Sequence, residues 1–167
     1  MKNLKLAVWI FLLWLFQTVF SRFVRIDGIS PDILYVFVLC MAINEKKPSY
    51  YITIGIICGF IADAFTGGIP GFYLLAYTCT VLLTVMMGEI IYKELFLIIA
   101  PVTAVFTFIL NSIYFLINHT YLQEISYAAA LKSIILPVII YNTVVAIIIN
   151  PLLKKTVYTE KKLRRRR

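Results

Sequence analysis

Asp63 is the residue whose type and position most directly suggest chemistry, because it is an acid inside an apolar run. A carboxylate in an apolar, membrane-like setting is unfavourable without partners, so such residues are functional candidates. Two hypotheses follow for Asp63. It couples a proton or cation or anchors a partner helix, or it lies near the outer interface and caps the turn at Gly67–Gly71.

Asn111 and Asn142 are the other polar side chains predicted to lie inside apolar helices. We expect them to form hydrogen bonds between helices, with contact to a ligand as the alternative. Both belong to sets of small or polar residues at every fourth position, which share one helix face and favour close packing. These sets are Gly55, Gly59 and Asp63; Ala76, Thr80, Thr84 and Gly88; Thr103, Thr107 and Asn111; and Asn142, Ala146 and Asn150.

A glycine-rich segment separates the first two of these sets. Gly67, Gly68 and Gly71, with Pro70, supply the backbone freedom and the helix break that a tight turn needs. The sequence therefore predicts a close helical hairpin around this turn.

The residues that usually build catalytic or metal sites are scattered along the chain. His119 is the only histidine, and a lone histidine cannot form a zinc site without carboxylate or thiolate partners nearby. Cys40, Cys58 and Cys79 lie inside apolar runs without CxxC spacing, which is typical of small buried side chains. No HExxH, GxSxG, P-loop or GxGxxG motif is present. We therefore predict a protein that is not an enzyme and binds no metal or cofactor.

The composition identifies the environment of these residues. Of 167 residues, 62% are apolar and 14% are charged, whereas a soluble domain has about half and about a quarter. This predicts an all-α membrane bundle with six segments: Leu4–Phe20, Ile33–Ile43, Tyr50–Phe65, Ile69–Ile91, Leu95–Ile117 and Ala129–Leu153. We expect one transmembrane domain over residues 1–153 and a basic cytoplasmic tail over residues 154–167.

The second segment is well below the roughly 20 residues that a transmembrane helix needs. We expect it to begin at Pro31 and to be half-buried or strongly distorted. The distribution of basic residues nevertheless supports six crossings with both termini in the cytoplasm. Thirteen basic residues then lie inside (Lys2, Lys5, Lys46, Lys47, Lys93 and eight in the tail) and three outside (Arg22, Arg25 and Lys132).

Two charged regions suggest contacts outside the bundle. Arg22, Arg25, Asp27 and Asp32 form a mixed outer cluster, which is either a solvated patch or a docking site for an extracellular partner. The basic tail is predicted to anchor the chain on the positive-inside side, with binding of anionic lipid as an added role. Nucleic-acid binding is not expected, because no aromatic platform accompanies the basic run.

Four stretches carry a resemblance to a known family. Cys58–Phe72 contains a Gly59-Phe60 pair, then Asp63, then the glycine turn, and it resembles the central signature of MreD, the rod shape-determining membrane protein of bacteria. Ser30–Leu34 is similar to the proline-led entry of the family's second helix. Tyr141-Asn142 and Asn150–Leu153 are similar to its last helix. Ile61 and Ala62 differ from the family's frequent glycine, and Asp32 stands where asparagine or an apolar residue is common.

The resemblance implies a non-catalytic subunit of the cell-wall elongation complex in the bacterial inner membrane. Its implied direct partner is MreC. RodA and a class B penicillin-binding protein would be the associated peptidoglycan synthases, and MreB would be an indirect partner inside the cell. In this interpretation the outer loops and an exposed groove bind MreC, and the residues singled out above have partner-binding or structural roles.

An alternative comes from a different class of protein. A six-helix chain of this size also resembles the vitamin-binding components of energy-coupling-factor transporters. Asp63, Asn111 and Asn142 would then contact a small molecule beneath the outer loops, in a concave and mostly apolar site.

Overall fold

The computed structural model describes residues 2–20, 29–44, 48–66, 68–87, 95–122 and 126–155. These residues form six helices, which confirms the predicted all-α bundle. They are α1 (Lys2–Phe20), α2 (Ile33–Asn44), α3 (Pro48–Thr66), α4 (Phe72–Met86), α5 (Leu95–Leu122) and α6, which joins Tyr127–Ala130, a π-helical turn Leu131–Ile135 and Leu136–Leu153. The acidic and basic residues of the predicted outer cluster before Gly28, and the tail after Lys155, lie outside the described residues.

Among the described residues, two helices are long and apolar enough to cross a membrane by themselves. The qualifying stretches are Ile98–Asn118 in α5 and Tyr127–Leu153 in α6. The shorter apolar stretches are Val8–Val19, Ile33–Asn44, Tyr50–Thr66 and Phe72–Met86. The number of crossings and the cytoplasmic position of the termini therefore stay predictions.

Helix α2 forms the centre of the bundle. Every residue from Ile33 to Ile43 is buried, and the helix packs against α1, α3, α4, α5 and α6. A helix that is apolar on all sides is typical of such a core position. The expectation of a half-buried or distorted helix is therefore wrong: α2 is a regular helix of 12 residues, about 18 Å long at 1.5 Å per residue.

The start of α2 also differs from the expectation. The helix begins at Ile33 rather than at Pro31, because Asp32 takes the capping position. The Asp32 carboxylate accepts a hydrogen bond from the backbone N–H of Tyr35 at 3.1 Å, and its carbonyl accepts from Val36 N–H at 3.0 Å. An aspartate that bonds the N–H three residues later is a typical N-cap.

The remaining helices pair into two hairpins, α3 with α4 and α5 with α6. Helix α4 begins at Phe72, three residues after the predicted Ile69, because Gly71 before it has a left-handed φ of 82°. That conformation interrupts a right-handed helix and suits glycine. We call the end of the bundle that holds this turn and the start of α2 the outer end, following the predicted orientation.

The prolines in the last hairpin do not end their helices. Helix α5 continues through Pro101. In α6 the π-helical turn Leu131–Ile135 ends two residues before Pro137, which is the second residue of the α-helical stretch that follows. Proline lacks an N–H and its ring crowds the carbonyl four residues earlier, so a wider turn at this point relieves that conflict.

Candidate functional site: a buried polar network around Asp32

Asp32 joins α2 to two other helices through its side chain. Its Oδ2 atom accepts a 2.6 Å hydrogen bond from the hydroxyl of Tyr77 on α4. Its Oδ1 atom, besides capping α2, lies 3.5 Å from Nε2 of Gln17 on α1, which donates to it. The carboxylate therefore accepts three hydrogen bonds, the condition under which a polar group is tolerated in a bundle interior.

Gln17 completes the cap of α2 from the neighbouring helix. Its Oε1 atom accepts a 2.9 Å hydrogen bond from the backbone N–H of Leu34. The first N–H groups of a helix have no partners within that helix, and a short helix at the bundle centre cannot bond them to water. The side chains of Gln17 and Asp32 supply these acceptors instead.

Asn142 on α6 links the network to the second hairpin. Its Oδ1 atom accepts a 2.8 Å hydrogen bond from the backbone N–H of Asp32. Its Nδ2 atom donates to the hydroxyl of Thr107 on α5 at 3.4 Å. The hydrogen bonds between helices predicted for Asn142 are thus present, and the network around Asp32 reaches α1, α2, α4, α5 and α6.

Aromatic side chains surround the network on the α4 side. Tyr77 packs against Tyr35 with ring centroids 5.2 Å apart and against Tyr73 at 6.0 Å. Tyr73 in turn contacts Tyr114 of α5 at 5.8 Å. The hydroxyl of Tyr35 lies 3.4 Å from that of Thr80. Buried phenols of this kind combine apolar contact with a hydrogen-bonding end.

Asp63 caps a second helix at the same end of the bundle. Its Oδ1 atom accepts from the backbone N–H of Tyr73 and its Oδ2 atom from that of Leu74, both at 2.9 Å. These N–H groups belong to the first turn of α4, and a negative group is favourable there. This is close to the capping hypothesis for Asp63, but the bonded groups belong to the start of α4, directly after the Gly67–Gly71 turn.

The two glycines of α3 bring its backbone close to α4. A Cβ atom added at Gly59 would lie 2.6 Å from Cα of Leu74, and one at Gly55 would lie 3.1 Å from Cγ2 of Val81. This close approach confirms the predicted hairpin and places Asp63, one turn beyond Gly59, within reach of α4. The stripe predicted on α4 has another role, because its member Thr80 lies next to Tyr35 of α2.

The other sequence candidates lie outside the network. Asn111 donates to the carbonyl of Thr107 in its own helix at 2.9 Å, so the hydrogen bond between helices predicted for it is not found among the described residues. The side chain of Phe60 is 65% exposed. Gly68 faces the Tyr114 hydroxyl, which would lie 2.7 Å from an added Cβ. Gly67 lies outside the described residues.

A second polar contact lies at the inner end of α2. Nδ2 of Asn44 donates to Oδ1 of Asn150 on α6 at 2.6 Å and to the carbonyl of Cys40 at 2.7 Å. Polar side chains therefore fix α2 to α6 at both ends of the short helix. In the sequence Asn150 belongs to a small-residue stripe, whereas no pattern distinguishes Asn44 or Gln17.

A comparison with protein-family models identifies the chain. The model described as rod shape-determining protein MreD matches residues 2–158. The chain belongs to the MreD family. The match covers all six helices, Asp32, Asp63 and Asn142, so the resemblance inferred from short motifs extends over almost the whole chain.

Membership establishes the general character of the protein. MreD proteins are rod shape-determining membrane proteins and are not a known enzyme family. The apolar helices described above agree with a membrane location. No significant match to a curated protein or to a solved structure was found.

Proposed function

We propose that this protein is a non-enzymatic scaffold of the bacterial cell-wall elongation complex, spanning the inner membrane several times with both termini in the cytoplasm. It binds MreC directly, and through this contact it associates with RodA and a class B penicillin-binding protein. The observation that carries the proposal is the MreD family match over residues 2–158.

The use of the buried polar groups supports a scaffold. Asp63 has both carboxylate oxygens bonded to α4, and Asn142 has both side-chain polar atoms bonded to Asp32 and Thr107. Side chains committed to such contacts hold helices in fixed positions. Asp63 and Asn142 were also the ligand contacts expected of a vitamin-binding transporter subunit, and their internal partners favour the scaffold over that alternative.

A surface for MreC is proposed on α3. Phe60 and Ile56 are four residues apart, so they share a face of the helix, and their side chains are 65% and 41% exposed. Gly55 and Gly59 each precede one of these residues and lie about 100° around the helix from them, on a face that is occupied by α4. An aromatic anchor beside an aliphatic side chain suits the packing of a partner's membrane helix.

The scaffold acts by differential binding. A partner that binds one conformation of the synthases better than another shifts the population toward it, and equal binding shifts nothing. In this proposal the protein holds MreC and the synthases in their active arrangement through contacts within the membrane and on its outer side. The basic residues 154–167 face MreB or anionic headgroups on the inner side.

Affinity purification tests the proposal directly. The tagged protein is extracted gently from its own cells, and the co-purified proteins are identified by mass spectrometry. We expect MreC with RodA and a penicillin-binding protein. Recovery of transporter ATPases and their coupling subunit instead of these proteins would overturn the scaffold.

A pair of matched variants tests the surface. Phe60→Ala is expected to reduce the recovery of MreC several-fold, whereas Leu75→Ala on α4, where the side chain is similarly exposed at 64%, leaves it unchanged. Equal recovery of MreC with both variants would exclude Phe60 as a contact. The scaffold proposal itself would still be decided by the purification of the unaltered protein.

A further inference from the structure

A row of polar groups follows α6 along its contacts with α2 and α5. At its outer end Asn142 bonds Thr107 and the Asp32 backbone. At its inner end Asn150 bonds Asn44. Asn142 and Asn150 are two turns apart on one face of α6, and Ala146 lies between them. These contacts define the seam, by which we mean the interface of α6 with α2 and α5 from Asn142 to Asn150.

The antiparallel register adds one more polar residue to the seam. Thr107 lies beside Asn142, and Ser112, farther along α5, lies beside Tyr127, earlier in α6. Moving one turn inward on both helices therefore brings Thr103 to the level of Ala146. The backbone carbonyl of Ala146 is 4.0 Å from Sγ of Cys40 on α2, which donates to it.

Two polar atoms of the seam have no protein partner within the part of the chain that the structure describes. They are Oγ1 of Thr103 and Nδ2 of Asn150, and both residues are 0% exposed. A buried donor without a partner is unfavourable, because it loses its hydrogen bonds to water on burial and gains none in return. Buried polar groups without protein partners are commonly bonded to internal water.

We propose that internal water molecules bind in the seam, at Thr103 and at Asn150. The chemistry of the groups selects water over an ion. Nδ2 of Asn150 can only donate, which disfavours a metal cation at that atom, and a buried anion would require a compensating charge.

The threonine stripe of α4 provides the contrast. The Thr84 hydroxyl is bonded within its own helix to the Thr80 carbonyl at 2.7 Å, and Thr80 lies next to Tyr35 of α2. Thr84 is 2% exposed, so it matches Thr103 in burial and residue type and differs in having a protein partner. It is the internal control for the seam.

Water contact is measured on the protein in lipid nanodiscs by NMR transfer of magnetisation from water. With labelled threonine and asparagine, we expect fast transfer to the Thr103 methyl group and the Asn150 side-chain amide, and slow transfer to Thr84. Transfer to Thr103 and Asn150 as slow as that to Thr84 would overturn the proposal, and this result needs no variant.

The stability of variants provides an independent test. Thr103→Val removes the hydroxyl at constant shape. A bound water would lose a partner, so the thermal midpoint should fall by about 2–4 °C for a loss of 1 kcal/mol in a chain of this size, and Thr103→Ser should restore most of it. An unchanged or raised midpoint for Thr103→Val contradicts a water at Thr103, because removing an unpaired hydroxyl is neutral or stabilising.

Discussion

The hydroxyl of Tyr77 donates a 2.6 Å hydrogen bond to the carboxylate of Asp32, which joins the second turn of α4 to the cap of α2. The two residues are 45 positions apart in the sequence. This contact connects the central helix to the α3–α4 hairpin, while the backbone of the same Asp32 connects it to the α5–α6 hairpin through Asn142.

Tyr77→Phe removes this hydrogen bond and keeps the ring. We expect the free energy of unfolding to fall by about 1–3 kcal/mol, because the carboxylate loses a buried donor. Thermal unfolding in a mild detergent measures the change. Tyr35→Phe is the control, because among the described residues its hydroxyl makes just the longer 3.4 Å contact with Thr80. A loss as large as that of Tyr77→Phe would argue against a special role for the Asp32 contact.

Asn142→Leu leaves the backbone N–H of Asp32, a partly buried group, without its acceptor. The expected loss of stability is about 1–3 kcal/mol, together with a lower protein level in cells and wider or rounder cells. The matched change is Asn111→Leu, because the Asn111 side chain bonds its own helix. Similar unfolding midpoints for the two variants would show that the contacts of Asn142 with Asp32 and Thr107 add nothing to stability.

Two substitutions at Asp63 test its role by removing its acceptor oxygens one at a time. The carboxylate bonds two backbone N–H groups of α4; Asp63→Asn keeps one oxygen, and Asp63→Ala keeps none. Loss of a cap is worth about 0.5–2 kcal/mol, so stability should decrease in the order Asp, Asn, Ala. In a strain that depends on each variant, cell width and protein abundance are measured together.

Defects in cell shape that follow the abundance of the Asp63 variants are the expected result for a structural cap. Impaired shape at full abundance in the Asp63→Asn strain would point instead to a required contact of the carboxylate with a partner. Normal rods in that strain would remove the carboxylate from the functional residues.

Gly59→Ala tests the close approach of α3 and α4. The added methyl group would lie 2.6 Å from the Leu74 backbone, so the helices must separate, at a cost of about 1–3 kcal/mol typical of overpacking. Gly55→Ala meets the end of the Val81 side chain at 3.1 Å, which can turn aside, and its effect should be smaller. Unfolding curves of the two variants measure the difference in stability. A larger loss of stability for Gly55→Ala than for Gly59→Ala would contradict the described packing.

The parts of the structure that the sequence predicted are those set by local patterns. The glycine turn and the four-residue spacing of Gly55, Gly59 and Asp63 specify the α3–α4 hairpin, because both act between neighbouring segments. Asn111 and Asn142 have the same chemistry and similar apolar surroundings in the sequence. Only the rotation of each helix about its axis, a property of the whole bundle, directs Asn142 to Asp32 and Asn111 to its own backbone.

The role of Asp32 was missed for a related reason. In the sequence it adjoins Arg22, Arg25 and Asp27, and this neighbourhood indicated a solvated outer cluster. The available signal was the aspartate directly before an apolar run, which is typical of a helix N-cap. That signal predicts where α2 starts. It does not predict that Asp32 is enclosed in the bundle, because this depends on the packing of α1, α4 and α6 around it.

The central position of α2 has a consequence for biogenesis. The helix is about 18 Å long at its 12 residues, and the helices that enclose it, except α1, are all translated later. On leaving the translocon it therefore lacks the length to integrate stably alone, and of the helices that bond its ends only α1, with Gln17 at the outer end, has already been synthesised. Correct topology then depends on late helices, since Asn142 and Asn150 must be synthesised before either end of α2 acquires its α6 partner.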